Sequence, residues 1–342
     1  MGSGAGRIET HSAGRRAVLK FQKAEPVRYG GHVPQAVVKN RSFEYEVHGD
    51  PAGVPLLLVM GLGGQMTSWP TDFIEMLVDR GFRVVRFDNR DSGLSWKGSM
   101  VPMKQSRQLL ATVSPRFVNS EYRLTDMAAD AVGILDHLGI DAAHVVGMSM
   151  GAMIAQTVAI EHPRRVLSLT SVMSTTGNRR VGTIAPRVLP KMARLTKRNP
   201  STYVERQCEL FRTISGSSHD PVESRRRIEF DFQRSYCPDG TGRQLAAIMA
   251  SPDRTDDLGR LRVPALVVHG MQDTLVQPSG GMATARAIPG ARLLMFNDMG
   301  HDLPKSRRAE IADAIADLAD TADTAGVKRA AGQGPALQSV GG

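Results

Sequence analysis

Cysteine is nearly absent from this chain: Cys208 and Cys237 are the only two in 342 residues. That excludes a disulfide framework, and their separation fits no structural metal site, so two free thiols are expected rather than a bridge. Aromatic residues make up only 5% of the sequence. The formal charge of +9 therefore lacks the stacking partners and motifs that nucleic-acid binding requires, and nucleic acid is not an expected partner. Contact with an anionic membrane surface has the charge in its favour and nothing else. No apolar run approaches the roughly 18 residues of a membrane span, and the basic N-terminus lacks the apolar stretch of a signal peptide. The cytoplasm is the expected compartment. The nine histidines show no ligand-like spacing, so neither a metal nor an organic cofactor is expected. Composition leaves the oligomeric state open.

What is present is a globular composition, 41% hydrophobic and 23% charged, patterned as alternating strands and helices. Residues 1–35 mix Gly, Ser, Arg and Lys without periodicity and read as a disordered basic arm. Strands are expected at Ala36–Val38, Phe43–Val47, Val54–Met60 and Arg83–Phe87, with a helix from Trp69 to Arg80. The next forty residues or so read as loop, up to a helix at Thr125–Leu138. Another strand and helix follow, ending near Ile160, and then a strand at Val166–Val172. This alternation predicts an α/β fold, a mostly parallel sheet with helices on both faces. The pattern breaks near Gly177, where arginine-rich helical segments are interrupted at Pro190, Pro200, Pro221 and Pro252. Strands resume at Ala265–His269 and Arg292–Phe296, with helices at Pro278–Ala287 and Arg308–Asp320. The expected organisation is a core of residues 36–177 and 259–320, split by a helical cap at 178–258, with a disordered tail at 321–342.

The chemistry gathers at Gly147-Met148-Ser149-Met150-Gly151, which fits G-x-S-x-G between a β-branched run and a small-residue helix. Such a turn strains its serine, excludes side chains beside it, and aims the first helical amides at the place where an oxyanion would form. A serine nucleophile needs a base and an orienting acid. Asp273 follows one predicted strand and His301 another, in the order Ser, Asp, His. Asp298 and Asp302 flank His301 but are too close in sequence to face its ring. Ser174, Thr175 and Thr176 leave the alternative acid position without an acid. The reading assigns Ser149, Asp273 and His301 to catalysis. It assigns the amides of Leu62 and Met150 to the oxyanion, with Gly63 as the second choice for the loop donor. Met60, Met148, Met173 and Met271 are expected around the site, as an adaptable apolar pocket or as fillers of irregular core gaps. Asp88 and Arg90 are expected to fix their loop through an ion pair.

The elbow, the contexts of Asp273 and His301 and the helical insertion resemble the α/β-hydrolase superfamily over roughly residues 36–320. More narrowly, Val59-Met60-Gly61-Leu62-Gly63-Gly64, Asp88-Asn89-Arg90-Asp91, Gly242-Arg243-Gln244-Leu245-Ala246-Ala247-Ile248 and Met299-Gly300-His301-Asp302-Leu303-Pro304 are similar to actinobacterial esterases. That group includes aclacinomycin methylesterase-like enzymes and mycobacterial esterase/lipases. The resemblance implies an eight-stranded sheet, a lid and hydrolysis of a small-molecule carboxylic ester, and it carries Ser149, Asp273 and His301 over as the triad. One departure is Met60-Gly61 where many members have His-Gly. The alternatives are an aminopeptidase, a C–C hydrolase, a perhydrolase, an acyltransferase or a silent binding protein on the same scaffold. Dehalogenase and epoxide hydrolase chemistry is disfavoured, because both place a carboxylate where this chain has Ser149.

Overall fold

Alternating side chains on one central strand decide the layering. In β3 (Val54–Val59), Leu56 and Leu58 face one side of the sheet while Leu57 and Val59 face the other, as a period of two demands. All four are fully buried, which requires helices on both faces. The computed structural model describes residues 34–102, 118–194 and 198–332, with side chains through residue 322. The other strands are β1 (Gln35–Val38), β2 (Arg41–His48), β4 (Phe82–Phe87), β5 (Ala143–Met148), β6 (Val166–Val172), β7 (Ala265–Gly270) and β8 (Arg292–Phe296). They form one eight-stranded sheet in the order β1-β2-β4-β3-β5-β6-β7-β8. β2 pairs antiparallel with both β1 and β4, and every pairing from β4 to β8 is parallel.

Helices α2 (Leu124–His137) and α3 (Met150–Glu161) bury Ala128, Leu135, Ile154 and Val158 against Leu57, Val85 and Val145. Helix α3 is apolar or small nearly all round and is buried accordingly. On the other face, α1 (Thr71–Val78) and α10 (Lys305–Gly332) bury Phe73, Leu77, Ile311 and Ile315 against Leu56, Leu58 and Val84. Between β6 and β7 lie α4 (Leu189–Met192), α5 (Tyr203–Ile214), α6 (Pro221–Arg234), α7 (Pro238–Ala250) and α8 (Thr255–Leu258). Pro221 stands at the first position of α6, where its missing N–H costs nothing. Asp220 caps that helix by accepting from the Val222 and Glu223 amides. Helix α9 (Ser279–Ala287) separates β7 from β8.

The expected strands lie within a residue or two of those observed. The last helix differs: it runs past Asp320 to Gly332, so the chain from residue 321 to there is helical rather than a floppy tail. Its Ala-rich repeat continues the same helical propensity. The basic arm falls outside the described residues except at Pro34 and Gln35, as do 103–117 of the expected long loop and 333–342 of the expected tail.

One largely buried pairing makes an acid-stability prediction. Glu46 on β2 lies opposite Arg86 on β4 and takes hydrogen bonds from Arg86 Nε at 2.8 Å and from His48 Nε2, when protonated, at 3.1 Å. Burial alone would raise the Glu46 carboxyl, but His48 and Arg86 outweigh it and hold it down to about 2. A depressed carboxylate stabilises the fold above its unfolded value and loses that contribution as pH falls through the folded one. Glu46→Gln should therefore be less stable than wild type at neutral pH, by on the order of 2–3 kcal/mol. Urea melts should show the gap closing as pH falls from about 5 toward 2; a gap independent of pH contradicts the assignment.

Candidate active site

Ser149 follows β5 directly, with backbone angles φ 56° and ψ −118°, a strained conformation for any residue with a side chain. The turn closes only because two neighbours are glycine. A Cβ on Gly147 would lie 2.2 Å from the Gly151 carbonyl oxygen, and one on Gly151 would lie 2.0 Å from that of Val59. The Ser149 amide donates to the Val172 carbonyl at 2.9 Å, and Ser174 Oγ donates to the Ser149 carbonyl at 2.8 Å. The strain is thus held by β6 and the loop after it.

His301 sits on the loop after β8, and its amide donates to the carbonyl of Ile214 at the end of α5, 2.8 Å away. Its Nε2 lies 2.9 Å from Ser149 Oγ, and its Nδ1 lies 2.7 Å from Asp273 Oδ2. Asp273, on the loop after β7, is buried and uses its two oxygens differently. Oδ1 accepts from the amides of Leu275 and Val276, both at 2.9 Å; this is the Asx-turn role. Oδ2 faces His301. Burial alone would raise the Asp273 carboxyl, but His301 and His269 outweigh it and hold it below the usual carboxylate range. With Asp273 ionised, His301 carries its proton on Nδ1 and leaves Nε2 to accept one from the serine. Such an arrangement can deliver Oγ to an acyl carbon.

The rival acids are engaged elsewhere. Asp298 binds Arg307 and accepts from Ser218 Oγ. Asp302 accepts from the amides of Gly216 and Gly300 and faces His219 Nδ1 at 3.3 Å.

The glycine loop after β3 stands against the elbow, since a Cβ on Gly61 would lie 3.2 Å from Ser149 Cβ. The Gly63 amide donates to Gln244 Oε1 at 2.8 Å, so it is committed. The Leu62 and Met150 amides have no acceptor among the described residues. Met150 opens α3, so its amide also carries the positive end of the helix dipole.

One expectation needs correction. Asp88 and Arg90 do not pair with each other. Arg90 forks onto Asp130 of α2, while Asp88 accepts from the Met66 and Leu94 amides and pairs with Arg234 at 2.8 Å. The Asp88 carboxylate and the Arg90 guanidinium each pair across the fold rather than with the residue two positions away in sequence. The four methionines expected as pocket or as gap fillers differ in their surroundings. Met60 and Met173 are buried in the core with Trp69 and Phe73. Met148 is partly buried against the same cluster, and Met271 is exposed. Irregular space at the strand ends takes up the flexible thioethers as packing.

Three supporting residues have no signal in the spacing. Asn89 Nδ2 donates to the Met60 carbonyl at 2.8 Å. His269 Nε2 donates to the Val276 carbonyl at 2.8 Å and lies 3.4 Å from Asp273 Oδ2. Gln244, on α7, reaches the glycine loop as above. Asn89 and Gln244 stand in two of the family-like strings, which was the available clue. Among the described residues no three His, Cys, Asp or Glu side chains are grouped to hold a metal, and Cys208 and Cys237 are free thiols.

A strained serine on a strand-to-helix turn, beside a histidine and an aspartate from later strand ends of an eight-stranded sheet, defines a class. Residues 54–305 match the family model described as the alpha/beta hydrolase fold, and the chain belongs to that family. It is a hydrolase whose relatives include esterases. It is 31% identical over 288 residues to rhodomycin D methylesterase of Streptomyces peucetius, covering 78% of this chain and 91% of that one. It is 26% identical over 301 residues to 2-hydroxymuconate semialdehyde hydrolase of Pseudomonas sp. (strain CF600), covering 82% and 92%. Among solved structures, a thermophilic esterase from Thermogutta terrifontis superposes with a TM-score of 0.64 at 24% identity, over 85% of this chain and 99% of that one. No helix among the described residues is long and apolar enough to cross a membrane.

Proposed function

We propose that this hydrolase is a serine carboxylic-ester hydrolase acting on a small or medium, neutral or apolar ester. The observation that carries the reading is the hydrogen-bonded chain from Ser149 Oγ through His301 to Asp273, at 2.9 and 2.7 Å. Ser149 attacks the acyl carbon while His301 accepts its proton. The Leu62 and Met150 amides stabilise the oxyanion, His301 protonates the leaving alcohol, and water then hydrolyses the acyl-enzyme. Residues 178–258 serve as the cap over this site, and the enzyme works in the cytoplasm, with its two thiols reduced.

The carboxylates of α5, α6 and the start of α7 argue against a cationic substrate. From Glu205 to Asp239 each is already engaged. Glu205 and Glu229 hold Arg225, Glu209 holds Lys191, Asp239 holds Arg198, and Glu223 holds Arg308. Asp220 caps α6, and Asp231 accepts from Thr67 and Ser68. None of them is left to receive an ammonium group, which an aminopeptidase needs. A neutral ester should be turned over with kcat/KM roughly tenfold or more above a matched quaternary-ammonium ester, and amino-acid p-nitroanilides should be poor substrates. An aminoacyl anilide cleaved faster than every simple ester tested would replace the esterase reading with an aminopeptidase.

A further inference from the structure

The peptides on either side of Gly61–Leu62, the peptide that carries the Leu62 amide, are each pinned by a side chain from a distant part of the chain. On one side Asn89 donates to the Met60 carbonyl. On the other, the Gly63 amide is taken by Gln244, which belongs to α7 of the insertion. Gln244 is fully buried, and both ends of its amide are used. Oε1 accepts from Gly63 at 2.8 Å, while Nε2 donates to the Arg90 carbonyl at 2.7 Å and to Ser92 Oγ at 2.9 Å. This donor and acceptor pattern admits one orientation of the side chain. Its neighbour Arg243 forks onto Asp91, with Nε at 2.9 Å and Nη2 at 2.6 Å. Helix α7 is thereby locked to the loop after β4.

We propose that Gln244 is a positioning residue for catalysis. Its carboxamide holds the Leu62–Gly63 peptide and thereby orients the adjoining Gly61–Leu62 peptide, whose Leu62 amide points at the oxyanion, coupling the seat of α7 to transition-state stabilisation. The proposal rests on the esterase reading and its oxyanion assignment. An oxyanion donor works because it is oriented before the reaction begins, and Gly63 adopts a positive φ of 68°, so the loop has glycine's freedom to lose that orientation. A residue acting in this way affects kcat far more than ground-state binding.

Amide hydrogen exchange on the wild-type protein, read by NMR with and without phenylboronic acid, separates the proposal from the reading beneath it. In the free enzyme Gly63 should be protected and Leu62 should exchange rapidly; the boronate adduct should then protect Leu62 and Met150. Rapid exchange at Gly63 overturns the role of Gln244 alone. Failure of the boronate to protect Leu62 overturns the oxyanion assignment, and the proposal with it. The near-isosteric Gln244→Met should lower kcat by about tenfold to a hundredfold, below the loss of a donor outright, with KM within about twofold. Boronate affinity should fall by the same factor as kcat, and exchange at Gly63 should accelerate. A folded Gln244→Met protein with a lowered Tm and an unchanged kcat would show a purely structural residue and overturn the proposal. If that variant does not fold, the wild-type exchange pattern decides.

Discussion

Ser149→Ala should give a folded protein whose ester turnover is about a millionfold lower than wild type, by the precedent of serine hydrolases that lose their nucleophile. The change removes one oxygen, whose one hydrogen-bond partner among the described residues is His301 Nε2. The backbone of the turn is held by other contacts, from the Ser149 amide to Val172 and from Ser174 to the Ser149 carbonyl. Alanine keeps the same Cβ in the same strained backbone, so neither strain nor packing changes. Thermal unfolding should stay close to wild type while hydrolysis of a p-nitrophenyl ester falls to the level of residual binding and oxyanion stabilisation. Turnover within tenfold of wild type would sink the assignment of the nucleophile.

The second large effect belongs to Asp273→Asn, expected to lower kcat by on the order of 10,000-fold. The two backbone amides of Leu275 and Val276 require an acceptor at Oδ1, so the asparagine places its carbonyl oxygen there. Its NH2 then faces His301 Nδ1, which must accept instead of donate. The proton moves to Nε2 and points at Ser149, and the base is lost with little change in geometry. Asp298→Asn provides the control. Its side chain serves Ser218 and Arg307, and its replacement should leave kcat within a few-fold. Steady-state kinetics of the two variants decide the matter: a silent Asp273→Asn beside an inactive Asp298→Asn would reassign the acid.

Much of this arrangement can be read from residue types and order. Val166–Val172 and Arg292–Phe296 are strands with the expected bounds: the first lies inside the sheet and is buried and rich in β-branched residues, the second is an edge strand of mostly apolar residues. Ser149, Asp273 and His301 are legible because each follows a strand end, and chain order together with a parallel sheet brings strand ends together. What escapes is whatever depends on the choice among distant partners. Nothing local distinguishes Asp88 paired with Arg90 from Asp88 paired with Arg234 and Arg90 paired with Asp130. The same holds for Gln244, whose partners Gly63, Arg90 and Ser92 lie on two loops far back in the chain. Methionines at strand ends are ambiguous for another reason, since a pocket wall and a gap filler ask for the same side chain. Among the arginines of the insertion, no local pattern singles out Arg234 and Arg243, which tie it to Asp88 and Asp91 of the core.

Covalent labelling with a fluorophosphonate, followed by peptide mapping of the adduct, tests the central claim most directly. A serine activated by His301 and faced by the Leu62 and Met150 amides should be phosphonylated at Ser149 alone, with ester hydrolysis lost in proportion to labelling. Ser149→Ala should take up no label, and Asp273→Asn should take it up far more slowly. An enzyme that hydrolyses esters at full rate without being labelled at Ser149, or whose inactivating adduct maps to another residue, would contradict the account.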